Sequence, residues 1–281
     1  VSLQAFDKIF AVGRREFASF FQTPVGYVAV GLYSLLSGLG FTFSLMMYAR
    51  ISQAPGDYGY GTVPDFEEWM LSPFLLYCGL LLMFLAPLIT MRLLADEHHR
   101  GTIELLYTLP LRDRDIVFGK FLAATGMVLV MLLPVAVDLV ILGRLVDVEV
   151  AVLLLGLLAA FLLGMSFISL GLFVSALTHN QVTAGFVTFG SSMLLYILGS
   201  VADRLPKQNP APDTLPDVIY LGIGSSYSFL RATANEMAMD AHAKDMAQGI
   251  FQPQDPIYYV LFCAFFLFLT FRALESRNWR A

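Results

Sequence analysis

The sequence predicts an all-α membrane protein, with six transmembrane helices, an amphipathic helix ahead of them and a charged stretch between the second and third. Three observations carry this. Of 281 residues, 57% are hydrophobic and 14% charged, and the mean hydropathy is +0.70, a balance that soluble domains do not show. Six runs approach the roughly 20 apolar residues that cross about 30 Å of hydrocarbon as a helix. The charges collect between those runs, so the net charge of −5 is divided across the membrane and points to no nucleic-acid partner.

In chain order, residues 1–24 come first. Leu3, Phe6, Phe10, Gly13, Phe17 and Phe20 recur at steps of three and four, opposite Asp7, Lys8, Arg14, Arg15 and Gln22. That pattern predicts a helix lying in the membrane interface, its apolar stripe toward lipid. Pro24 ends it by disfavouring helical geometry at Thr23. Spans are expected at 25–49, 73–91, 121–142, 150–177, 182–202 and 257–274. No small-residue cleavage motif follows the first, which is expected to stay as an anchor. Pro87 and Pro134 fall inside spans two and three, where a missing N–H favours a kink. Ser34 with Gly38, and Gly171 with Ser175, have the four-residue spacing of close helix approach, a common packing feature that need not mark a dimer interface.

Charge sets the orientation. Lys8, Arg14 and Arg15 precede span one; Arg92, Arg100, Arg112, Arg114 and Lys120 lie between spans two and three; Arg272, Arg277 and Arg280 close the chain. These are most of the 17 cations, and they place both termini and the 92–120 segment in the cytoplasm. The opposite side carries residues 203–255, in which the apolar stretch 218–230 is too short to span and is expected as a surface or re-entrant helix. Residues 256–281 form the last span and a basic tail.

Chemistry within the spans is sparse. Asp138 is the ionisable residue well inside one, a functional candidate by default, yet shallow enough to be hydrated or paired with Arg144. Cys78 and Cys263 both fall in spans, where neither a disulfide nor a metal site is expected. No HExxH pair occurs, and His98 and His99 point about 100° apart on a helix, poor geometry for one metal. Gly119-Lys120 is followed by Phe121 and lacks the first glycine of a phosphate loop, so any ATP-driven work draws on another polypeptide. The 92–120 segment suits such a partner. Gly101 permits a backbone break, Thr102 can cap the helix that follows, and Leu105, Leu106 and Leu109 form an apolar ridge beside charges.

Four stretches carry a family likeness. RREFASFFQTPVGYVAV (14–30) holds Glu16, Phe20, Phe21, Pro24 and Tyr27; DEHHRGTIELLYTLP (96–110) holds Glu97, Gly101, Thr102, Glu104, Leu105, Leu106 and Pro110. With SALTHNQVTAGFVTF (175–189) and AQGIFQPQDPIYYVLFCAFFLFLT (247–270), they resemble the permease subunits of ABC-2 type transporters, or type V exporters, in the branch of the GldF and NosY permeases. The resemblance implies a short cytoplasmic coupling helix between spans two and three, with Glu97, Arg100, Gly101, Thr102, Glu104, Leu105, Leu106 and Pro110 contacting the ATPase. It implies an interface helix using Phe10, Arg14, Arg15, Glu16, Phe17 and Pro24. Expected partners are two separate ATP-binding subunits carrying ATP and Mg, a second permease copy or similar subunit, membrane lipid and an extracytoplasmic protein; the chain itself needs no cofactor. The expected location is a bacterial inner membrane and the expected activity export of an amphipathic or lipid-like substrate. The alternative is a transmitter that passes ATPase motion to an outer partner and translocates nothing.

Overall fold

A computed structural model describes residues 2–60, 62–95, 112–206, 209–210, 212 and 216–277. These residues form helices and no strands: α1 (Ser2–Gln22), α2 (Pro24–Gln53), α3 (Ser72–Thr90), α4 (Asp113–Leu145), α5 (Val150–Leu177), α6 (Gln181–Arg204), α7 (Asp217–Met237), α8 (Met239–Ala247) and α9 (Gln254–Arg277). Six of them, α2 to α6 and α9, are long and apolar enough to cross a membrane. The protein is thus the all-helical, six-span molecule that composition predicts. The end of the bundle where α2 and α4 begin is the α1 end; the other, carrying α7 and α8, is the loop end.

Local chemistry explains the boundaries. Thr23 breaks α1 from α2 with extended backbone (φ −117°, ψ 153°), the geometry that Pro24 imposes on its predecessor. Gly59 ends the short 3₁₀ turn Pro55–Tyr58 at φ 82°, a left-handed conformation open to glycine. A wide π-helical turn, Glu67–Leu71, leads into α3 just ahead of Pro73, which has no N–H to continue a regular ladder. Helix α4 starts eight residues before the apolar run. Its first turns carry Asp113, Arg114, Asp115 and Lys120, and Asp115 accepts from the Arg112 backbone N–H at 3.2 Å. Pro87 and Pro134 sit inside α3 and α4, which continue past them.

Helices α3 and α5 form the centre, with α4, α6, α8 and α9 packed around α5 and with α2 across α3 and α4. Close approach at the centre relies on missing side chains: a Cβ on Gly171 would stand 2.3 Å from the Thr90 hydroxyl. The Gly171 and Ser175 pair therefore serves packing within the chain. At Gly38 of the other small-residue pair, an added Cβ would meet nothing within 4 Å, so that face points outward.

At the loop end, the 218–230 stretch is helical as expected, within a longer exposed element. The 218–230 stretch belongs to the longer α7, which packs on α6 and leaves Val218, Leu221, Phe229 and Leu230 exposed. A further element, α8, polar in composition, is set among the spans, with Met239, Ala243, Met246 and Ala247 buried against α3, α5 and α6. Its outer face is fastened by His242, which stacks on Tyr258 at 4.2 Å and bonds Asp255 at 2.8 Å, while the Tyr258 and Tyr259 hydroxyls donate to the Met237 and Met239 carbonyls.

Candidate functional site

Every residue expected to contact an ATPase between spans two and three, Glu97, Arg100, Gly101, Thr102, Glu104, Leu105, Leu106 and Pro110, lies outside the described residues. The frame that holds that segment is described on both sides. At its start, the backbone N–H groups of Leu94 and Ala95 both donate to the Ser175 hydroxyl at 3.1 and 3.0 Å, pinning the chain to the last turn of α5. Ser175 is fully buried, so this oxygen satisfies two donors that water does not reach. Arg92 donates to the Thr23 hydroxyl at 3.2 Å, tying the end of α3 to the elbow between α1 and α2. On the far side the chain enters α4 through the Arg112 and Asp115 cap.

Helix α1 completes the frame by packing along the first half of α4, both running the same way. Gly13 meets Gly119 and Leu122, and Phe17 meets Gly126. The helices are close enough that a Cβ on Gly119 would lie 2.6 Å from Val12 Cγ1 and 3.1 Å from the Ile9 carbonyl. One turn on, Glu16 Oε1 stands 3.4 Å from Lys120 Nζ and 3.0 Å from Arg15 Nη2. Lys120 is 1% exposed, and a buried ammonium requires a carboxylate partner.

The interface-helix residues therefore separate. Glu16 and Phe17 face α4, with Val12 and Phe20 buried beside them; Arg14, Arg15 and Pro24 are exposed, and Phe10 is 61% exposed on the outward side. The packed stripe is Ile9, Val12, Gly13, Glu16, Phe17 and Phe20, turned from the expected one that ran through Phe10. Lys120 was legible only as one more cation; its position next to Gly119, opposite an α1 glutamate, was the signal. Asp138 is half-buried on α4, and among the described residues no ion pair joins it to Arg144. On the lipid-facing side, an apolar groove of about 290 Å³ opens between α4 and α5, lined by Leu129, Leu133, Leu154, Leu158 and Phe161 among others.

Six apolar helices around a common core define a multi-pass membrane protein, with a helical frame at one end and few ionisable groups between. Residues 23–279 match the ABC-2 family transporter protein, and the chain belongs to that family. It is the membrane component of an ABC transporter, itself non-catalytic, in a family that works with ABC ATPase subunits. No curated protein matches the chain.

Proposed function

We propose that this chain is the permease of a GldF- or NosY-like, type V exporter. Two separate ATP-binding subunits, which hold ATP and Mg, dock on the coupling segment 92–120 and drive export of an amphipathic or lipid-like substrate through a route shared with a second copy. Both termini and the coupling segment face the cytoplasm of a bacterial inner membrane, and residues 203–255 face outward. The observation that carries this reading is the frame at the α1 end. Three elements converge on the two ends of one short charged segment: α1 through Glu16, α3 through Arg92, and α5 through Ser175. A push on that segment has rigid helices to act upon. The apolar groove beside α4, free of charged lining, supports a hydrophobic substrate over a hydrophilic one.

The test addresses the segment itself. Glu104 offers a charge for a basic residue of the ATPase and Leu105 an adjacent apolar contact. Glu104→Arg and Leu105→Asp are each expected to leave membrane insertion near wild type while co-purification and stimulation of the cognate ATPase fall, the first partly restored by an opposite swap on the partner. Full ATPase retention by both variants would reduce the segment to a topogenic loop. Substrate flux in proteoliposomes separates export from the transmitter alternative, in which outer-partner binding follows ATP and nothing crosses.

A further inference from the structure

We propose that Glu16 and Lys120 lock α1 to the first half of α4, so that the two helices move as one lever when the coupling segment is pushed. The inference rests on the permease reading and adds which parts move together. Three independent contacts, spread along the pair, oppose sliding. The glycine contact leaves no room for a methyl group at Gly119, Phe17 fills the space over Gly126, and between them lies the Glu16–Lys120 pair. Sliding by one turn would bring side chains against the Gly119 backbone and pull the buried Lys120 ammonium away from the Glu16 carboxylate, a contact that low dielectric strengthens.

The unit has two edges. Helix α1 meets α2 at the single extended residue Thr23, where a Cβ on Gly26 would stand 2.5 Å from the Phe20 carbonyl, Phe21 meets Tyr27 edge-on at 5.5 Å and Arg92 bonds the Thr23 hydroxyl. Further along α4, Pro134 lacks the N–H that would bond the carbonyl one turn earlier, a natural point of bending. The lever is thus α1 plus the α4 turns before Pro134, with give at the proline. In this assignment Glu16 and Lys120 are positioning residues, acting through the register of two helices.

A reversible cross-link tests it within one protein. A Cβ built on Gly13 lies 3.7 Å from Leu122 Cβ, inside the range that a disulfide spans, and 3.2 Å from the Gly119 carbonyl, which a small adjustment relieves. The native Cys78 and Cys263 are buried and do not compete. Gly13→Cys with Leu122→Cys, assembled with the cognate ATPase subunits in lipid nanodiscs, is expected to oxidise readily. Its permease-stimulated ATPase rate is expected to be the same oxidised and reduced, within about twofold, because a rigid unit loses nothing when stapled. Failure of the disulfide to form, or loss of stimulation on oxidation that reduction restores, overturns the lever. In parallel, Glu16→Lys is expected to cut stimulation several-fold, and adding Lys120→Glu to recover most of it; a folded double swap that recovers none also overturns it. A wild-type complex that leaves the ATPase unaffected sinks the permease reading instead, so the two failures are distinguishable.

Discussion

At the scale of single residues, the Glu16–Lys120 pair shows why a buried charge is a statement about its partner. Removing Glu16 takes a carboxylate from an ammonium that is 1% exposed, so Glu16→Ala is expected to destabilise the detergent-solubilised protein by on the order of 1–3 kcal/mol. Replacing both, Glu16→Leu with Lys120→Met, takes away the desolvation penalty along with the attraction and is expected to restore most of that stability. A thermal or denaturant double-mutant cycle measures this, and additive losses would mean that the two side chains do not interact. On sequence pattern alone, Phe10 and Phe17 are equals on one stripe. Only packing separates them, because Gly126 leaves a space that Phe17 fills while Phe10 remains exposed.

At the scale of elements, spans were legible and α8 was not. The fourth span has its expected limits, Val150–Leu177, since composition changes sharply at both ends. Helix α8, reading MDAHAKDMA, has the composition of a surface loop, and its small apolar stripe becomes meaningful only against the faces of α3, α5 and α6. The fastening on its outer side is testable. Asp255 is almost fully buried and His242 Nδ1 lies 2.8 Å from its Oδ1, so His242→Ala takes a hydrogen-bond partner from a buried carboxylate. The expected result is a loss of about 1–3 kcal/mol and faster proteolysis within 238–250, with the six spans intact. Unchanged protease resistance would show that the Tyr258 and Tyr259 hydroxyl bonds hold α8 without help.

At the scale of the whole molecule, the positive-inside pattern predicts one topology. Cysteines at His98 and Ser276 are expected to resist an impermeant thiol reagent in intact cells, while those at Gly59 and Asp213 are labelled; labelling at Ser276 alone would mean an odd number of crossings. The number of spans follows from sequence by itself, because a bilayer demands about 20 apolar residues per crossing and internally satisfied backbone, and both demands are local. Which helix becomes the centre does not follow. Helices α4 and α5 have nearly the same mean hydropathy, 2.5 and 2.6, yet 39% of one apolar window is buried and 61% of the other. Lipid tails are as apolar as a leucine core, so hydropathy does not sort the faces of a span as water sorts those of a soluble helix. The tertiary structure decided that order through glycine contacts such as Gly171 on Thr90, and through the few polar side chains, Ser175, Glu16 and Lys120, that find partners only once the helices have met.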